Sequence, residues 1–83
     1  MTLVWLSDLR LNAELIGPET APPLVLIHGL GLDLRVWDGL LPNLKNLRVL
    51  RLDLRGHGAS DTTPGPYSMG AMIRDTERLI DHF

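Results

Sequence analysis

The sequence has no cysteine, few aromatic residues and almost no net charge. Among its 83 residues, 5% are aromatic and none is cysteine, and the formal net charge is −2. The lack of cysteine excludes disulfides and thiolate metal sites, and it gives no sign of an oxidising compartment. A net charge this close to zero provides no basic surface, so we expect no nucleic-acid partner. We expect a cytoplasmic protein.

Long hydrophobic runs are missing as well. The apolar start, Met1–Leu6, lacks a basic leader and is too short to direct export or to span a membrane, so we expect no membrane partner. The composition that remains, 45% hydrophobic and 22% charged, is typical of a globular chain with at most one domain. A chain of this length buries somewhat more than about 60% of its unfolded surface, which predicts a marginal core.

Four segments have the patterns of strands. Leu9–Ile16 alternates between apolar and mostly polar residues, and Leu3–Leu6 is a short candidate partner, so we expect an antiparallel hairpin. A loop with three prolines follows. Leu24–Ile27 is wholly aliphatic, which is typical of a strand that is covered on both faces. Arg48–Leu54 is the second candidate for a central strand.

Two segments have helical spacing. Arg35–Leu47 carries apolar residues three and four apart, interrupted by Gly39 and Pro42, which predicts a short helix with an irregular end. Ser68 is a candidate N-cap for a longer helix with a core-facing stripe. That stripe consists of Met69, Met72, Ile73, Thr76, Leu79, Ile80 and Phe83.

The order of these elements predicts an α/β fold. We expect a β-hairpin followed by β-α-β-α, with right-handed crossovers in a mainly parallel sheet. Ligands of such sheets bind at the carboxyl ends of the strands, where His28–Gly31 follows the most apolar strand. Glycines let backbone N–H groups approach a ligand, and such donors could stabilise the oxyanion of an acyl-transfer reaction. A purely structural turn is the alternative; a phosphate loop would need a third glycine or a lysine.

A second motif, Asp53–Asp61, follows the other central strand. Asp53, His57 and Ser60 are the residue types of a catalytic triad, but they are crowded into one tight turn, where the required contacts would need opposed directions. We expect instead that Arg55 and Ser60 hydrogen-bond the backbone of a sharp loop. The three histidines have no metal-site spacing, so we expect no metal.

The two motifs together resemble the amino-terminal part of the α/β-hydrolase family. The similarity lies in H-G-L-G at 28–31, D-L-R-G-H-G-A-S at 53–60 and the intervening Trp37. With G-P-Y-S-M-G at 65–70 and R-D-T-E-R-L at 74–79, the chain most resembles 3-oxoadipate enol-lactonases. The H-G-L-G form is also common in esterases, haloalkane dehalogenases, epoxide hydrolases and C–C hydrolases, which remain alternatives.

The resemblance implies a cofactor-free serine hydrolase of small carboxylic esters or lactones, with 3-oxoadipate enol-lactone as the expected substrate. Serine attack would give an acyl-enzyme, which water would hydrolyse. The backbone N–H of Leu30 would be one donor of the oxyanion hole. His28, Gly29 and Gly31 would support that loop.

The nucleophile of this family normally lies in G-x-S-x-G, and no such motif occurs in the 83 residues. We therefore expect residues 1–83 to be the amino-terminal fragment of a single α/β-hydrolase domain, inactive alone. The family's strand order would leave one edge of the Leu24–Ile27 strand open, which predicts self-association or pairing with a complementing carboxyl-terminal segment. A non-catalytic interaction module of the same fold is the alternative.

Overall fold

A computed structural model describes residues 1–63 and 67–83. It contains a four-stranded sheet, one α-helix and two short 3₁₀ helices. The strands are β1 (Thr2–Trp5), β2 (Arg10–Ile16), β3 (Pro23–Ile27) and β4 (Arg48–Leu52), the α-helix is α1 (Met69–His82), and the 3₁₀ helices are Leu34–Trp37 and Leu41–Leu44. No helix formed by these residues is both long and apolar enough to cross a lipid bilayer.

The sheet is mixed, with the strand order β1, β2, β4, β3. The predicted antiparallel hairpin of β1 and β2 is confirmed. β4 pairs antiparallel with β2 and parallel with β3, where Ile27 lies beside Leu52. The predicted order, a hairpin followed by parallel strands, is therefore confirmed. The described sheet is mixed because β2 of the hairpin pairs antiparallel with β4.

β3 lies at the outer edge of this sheet. Of its residues only Leu26 is buried, and Ile27 is 49% exposed. The prediction that this strand is covered on both faces is thus wrong within residues 1–63 and 67–83, since Leu24 and Val25 are only half-buried and Ile27 is exposed. No strand among these residues pairs with the outer edge of β3.

The segment between β3 and β4 does not form the predicted helix over Arg35–Leu47. It forms the two 3₁₀ helices, joined by a turn that contains Gly39. Pro42 lies in the first turn of the second 3₁₀ helix, where its missing N–H costs no hydrogen bond. The proline and the glycine therefore divide a segment whose apolar spacing suggests one helix.

The helix after Ser68 forms as predicted, and the Ser68 side chain accepts the Ala71 N–H at 3.1 Å as its N-cap. The predicted stripe is only partly buried: Met72, Thr76 and Leu79 are buried, whereas Met69, Ile73, Ile80 and Phe83 are exposed. The apolar face of α1 is wider than the area that the four described strands cover. Gly65 and Pro66 of the lactonase-like motif lie outside the described residues.

The core lies between the sheet and α1. Its buried members come from all the strands except β3, from the loops beside them and from the helix. They are Val4, Leu6, Leu9, Leu11, Ala13, Leu50, Leu52, Leu54, Met72 and Leu79. Because β4 is flanked on both sides, its end is held rigidly at the centre of the sheet.

An ion pair joins the start of β2 to the segment after β4. The Arg10 guanidinium donates to both carboxylate oxygens of Asp61, with Nη2 3.0 Å from Oδ1, and the Arg10 main-chain N–H donates to Oδ2 at 2.8 Å. These hydrogen bonds hold the pKa of the Asp61 carboxyl below its usual range. Because the folded state favours the charged carboxylate, the pair stabilises the fold only where Asp61 is ionised.

Replacing Asp61 by asparagine should reduce stability at neutral pH and matter progressively less in acid. The stabilisation is present above the usual carboxyl pKa of about 3.9 and is lost as the pH falls through the lowered folded value. The check is the urea midpoint of wild type and Asp61→Asn between about pH 7 and about pH 3. Exposed Asp81→Asn is the matched control. A difference between wild type and Asp61→Asn that stays constant with pH would contradict the role of this pair.

Candidate active site

The carboxyl ends of β3 and β4 lie side by side because the two strands are parallel neighbours. The chain leaves β3 through residues 28–33, which we call the β3 loop, and leaves β4 through residues 53–61, the β4 loop. Both sequence motifs are therefore at the same end of the sheet, where open α/β sheets bind their ligands.

A tight turn forms the tip of the β3 loop. The Leu32 N–H donates to the Gly29 carbonyl oxygen at 3.1 Å, which closes a four-residue turn. Gly31, the third residue, has φ +82°, close to the value of a type II turn and adopted by glycine without strain. Leu30 is the second residue of the turn, and the turn makes no use of its N–H.

The Leu30 amide is left without an acceptor, whereas amides that follow it in the chain are bonded. The Gly31 N–H donates to His57 Nε2 at 3.1 Å, and the Leu34 N–H donates to Asp53 Oδ1 at 2.7 Å. Within residues 1–63 and 67–83, no acceptor hydrogen-bonds the Leu30 N–H. The Leu30 side chain is 75% exposed. The Leu30 N–H is therefore one that the turn itself does not use.

A buried carboxylate joins three segments beneath this turn. Asp53 is 2% exposed, and besides the Leu34 N–H it accepts the Ala59 N–H at 2.9 Å and the Asn12 side-chain amide at 3.0 Å. Several N–H donors offset the cost of removing a carboxylate from water. Gly58, at φ +49°, passes so close that a Cβ there would collide with this carboxylate. Asp53 thus fixes β2, the start of the first 3₁₀ helix and the β4 loop together.

Asp53, His57 and Ser60 lie in one loop but do not form a nucleophile-to-base contact. The Ser60 hydroxyl accepts the Asn12 main-chain N–H at 2.8 Å and donates to the Asp53 main-chain oxygen at 2.6 Å. The hydrogen bonds of the His57 ring go to main-chain groups. The Ser60 hydroxyl is therefore a structural tie between β2 and the end of β4.

The buried ring of His28 spans the two loops. His28 is 3% exposed; its Nε2 accepts the Leu54 N–H at 3.0 Å, and its Nδ1 lies 2.7 Å from the Gly29 carbonyl oxygen. One ring nitrogen thus bonds the β4 loop and the other bonds the β3 loop.

The ring of His57 makes the reverse connection. It extends from the β4 loop, accepts the Gly31 N–H of the β3 loop and places Nδ1 2.9 Å from the Arg55 carbonyl oxygen. The centroids of the His28 and His57 rings are 4.9 Å apart. Two imidazoles in contact therefore tie each loop to the other.

Arg55 does not hydrogen-bond the loop backbone through its side chain, and that prediction is wrong. Its guanidinium forms a two-point ion pair with Asp75 on α1, with Nη2 2.8 Å from Oδ1. The Asp75 side chain is 1% exposed, and the hydrogen bond to it raises the pKa of Arg55 above its usual value. A buried carboxylate needs such a partner. Arg55 therefore anchors α1 to the β4 loop.

A cavity of about 300 Å³ opens between the β3 loop and α1. Ile27, His28 and Leu30 line one side, and Met72 and Ile73 of α1 line the other. The walls are mostly apolar. Leu30 is therefore beside a space that suits a small organic molecule.

The side chains that could bind a metal ion are dispersed. Among residues 1–63 and 67–83, no three histidine, aspartate or glutamate side chains come together as a metal ion would require. The nitrogens of His28 and His57 already have main-chain partners.

The contributions of Asn12 and Asp53 to the site were not predicted from the sequence. Asn12 lies on the mostly polar side of the β2 alternation, yet it is only 9% exposed because it bonds Asp53. An aspartate directly after an apolar strand, with glycines following, was the available signal for Asp53. No local signal marks Asn12 as its partner, because 41 positions separate them.

Comparisons with known proteins agree with this geometry. A family model described as alpha/beta hydrolase fold matches residues 22–83. The 2-heptyl-3-hydroxy-4-quinolone dioxygenase AqdC2 of Rhodococcus erythropolis is 39% identical over 82 residues, which cover 95% of this chain and 30% of that protein. The 3-oxoadipate enol-lactonase 2 of Acinetobacter baylyi is 34% identical over 77 residues, covering 92% and 29%.

A solved structure is similar over the same region. The enol-lactonase from Burkholderia xenovorans LB400 superposes with a TM-score of 0.90 at 35% identity, over 96% of this chain and 32% of that one. The chain thus spans about 30% of the length of the curated relatives it matches. On the family match and this superposition, the chain belongs to the α/β-hydrolase fold family.

Proposed function

We propose that this chain forms the oxyanion-binding part of a cofactor-free, serine-type hydrolase of small carboxylic esters or lactones. The observation that carries the proposal is the Leu30 N–H, which has no acceptor in the described residues and lies beside an apolar cavity. Fixed N–H donors of this kind stabilise the negative oxygen of a tetrahedral acyl-transfer intermediate. The similarity to enol-lactonases supports 3-oxoadipate enol-lactone as the substrate.

In the proposed reaction a serine oxygen attacks the lactone carbonyl carbon, and its proton passes to a histidine. The carbonyl oxygen becomes an oxyanion that the Leu30 N–H stabilises. Collapse of the intermediate breaks the ring C–O bond and leaves an acyl-enzyme, while the histidine returns the proton to the leaving oxygen. Water then attacks the ester, and the free carboxylate leaves as serine regains its hydrogen.

The serine, the acid and the catalytic histidine of this reaction are assigned to a complementing segment. The sequence contains no G-x-S-x-G motif, and the side chains of Ser60 and His57 are committed to main-chain hydrogen bonds. Residues 1–83 are accordingly proposed to be inactive alone, as the amino-terminal part of one α/β-hydrolase domain.

Oxygenation of an aromatic heterocycle is a second candidate function. It is favoured by the 39% identity to a quinolone dioxygenase over almost the whole chain. The two candidates differ in what they consume, because lactone hydrolysis takes up water whereas dioxygenation takes up O₂. Oxygen uptake therefore distinguishes them in one assay.

Replacing Leu30 by proline tests the oxyanion donor. Proline removes the N–H and is favoured at the second position of a type II turn, so the turn should persist. The chain is co-expressed with the part of the Acinetobacter baylyi enol-lactonase 2 that follows the matched region, and hydrolysis of 3-oxoadipate enol-lactone is followed. Leu30→Pro should lower kcat about 100- to 1000-fold, as loss of one oxyanion donor does. Leu30→Ala keeps the N–H and should retain most of the rate.

Equal rates for Leu30→Pro and Leu30→Ala would refute the donor role of this amide. A complex that consumes O₂ with 2-heptyl-3-hydroxy-4-quinolone and leaves the lactone intact would replace the hydrolase proposal by the dioxygenase. Turnover of the lactone by the purified 83-residue chain alone would overturn its proposed inactivity.

We also infer that the outer edge of β3 pairs with a strand of the complementing segment. Within the described residues this edge is unpaired, and Ile27 is half exposed beside the cavity. Phe83, at the end of α1, lines a second cavity with Pro23 and Leu24 at the start of β3. A strand entering there would run parallel to β3, as a right-handed crossover from β4 requires.

Replacing Ile27 by lysine should weaken association with the complementing segment by about tenfold or more, because the incoming strand would bury the charge. Leu3→Lys is the matched control, since Leu3 is 46% exposed and lies on β1, at the opposite edge of the sheet. Titration monitored by analytical ultracentrifugation measures both affinities. Equal weakening by the two substitutions would show that β3 is not the docking edge.

A further inference from the structure

We propose that His57 is a positioning residue for the Leu30 amide, and that it acts together with His28. The two rings form what we call the clasp: each ring hydrogen-bonds both loops. In the clasp both rings are neutral and carry hydrogen on Nδ1. This inference rests on the proposed role of Leu30 as oxyanion donor. It concerns the two histidines that the reaction itself does not use.

The hydrogen bonds of His28 determine its tautomer. A main-chain N–H can only donate, so His28 Nε2, which receives the Leu54 N–H at 3.0 Å, must present a lone pair. A carbonyl oxygen can only accept, so His28 Nδ1, 2.7 Å from the Gly29 oxygen, must carry the hydrogen. The ring satisfies both partners only as the neutral Nδ1–H form.

The same argument applies to His57. Its Nε2 receives the Gly31 N–H at 3.1 Å, and its Nδ1 lies 2.9 Å from the Arg55 carbonyl oxygen. Each histidine therefore donates to a carbonyl of its own loop and accepts an N–H from the other loop. A proton added to either Nε2 would remove an acceptor from a main-chain N–H.

Leu30 lies between the two anchored groups. The Gly29 carbonyl before it is held by His28, and the Gly31 N–H after it is held by His57. The bond to His57 also fixes the middle peptide of the turn, because a reversed peptide would direct the Leu30 carbonyl oxygen at the lone pair of Nε2. The clasp therefore fixes the peptide on each side of the Leu30 Cα, and with them the direction of the Leu30 N–H.

Nitrogen-15 NMR of the full 83-residue chain tests the clasp without any substitution. Long-range ¹⁵N–¹H spectra report which imidazole nitrogen carries hydrogen. Both His28 and His57 should be in the Nδ1–H form, whereas exposed His82 should show no such fixed state. An Nε2–H form or averaged tautomers at His57 would overturn the proposal.

Substitution of His57 tests its effect on the reaction in the reconstituted complex. His57→Ala should lower kcat for the lactone about 10- to 100-fold with little change in KM, because a displaced donor loses its alignment with the oxyanion. His57→Gln should restore much of the rate, since its side-chain oxygen can accept the Gly31 N–H. His82→Ala is the control and should have no effect.

The two proposals fail differently. If the complex turns over the lactone and Leu30→Pro abolishes turnover while His57→Ala does not affect kcat, the positioning role is wrong and the hydrolase stands. If the complex has no lactonase activity, the tautomers of His28 and His57 still decide whether the clasp exists.

Discussion

The site depends above all on the buried carboxylate of Asp53. Because β4 lies between β2 and β3, a side chain directly after it can reach β2 on one side and, on the other, the segment that follows β3. Asp53 uses this position to accept N–H groups from Asn12, Leu34 and Ala59. Loss of this one carboxylate would leave three donors in three segments without their acceptor.

The same arrangement gives the loops their functional character. The N–H groups of Gly31, Leu32 and Leu34 each donate to a fixed acceptor. The Leu30 N–H, which precedes them in the chain, has no acceptor among the described residues. A donor whose direction is already fixed does not have to reorient when negative charge develops beside it. This preorganisation is the source of most oxyanion stabilisation. Under the proposed function, the exposed apolar surface of β3 and α1 would be covered by the complementing segment.

Much of the fold was predictable from sequence because its signals are local. Period-two alternation located β2, and the serine cap located the start of α1. Gly39 and Pro42 were recognised as interruptions, but apolar spacing does not distinguish one irregular helix from two 3₁₀ helices. The exposure of Met69 could not be foreseen, since it depends on how many strands lie under the helix.

The loop motif was visible in the sequence, but its bonding was not. The glycines beside His28 indicated a turn, whereas the bonds of His28 to Leu54 and of His57 to Gly31 each connect residues 26 positions apart. The most direct test of the whole account is amide hydrogen exchange of the β3 loop by NMR. Leu30 should exchange as fast as an unprotected amide while Gly31 and Leu34 are protected; protection of Leu30 equal to that of Leu34 would contradict it.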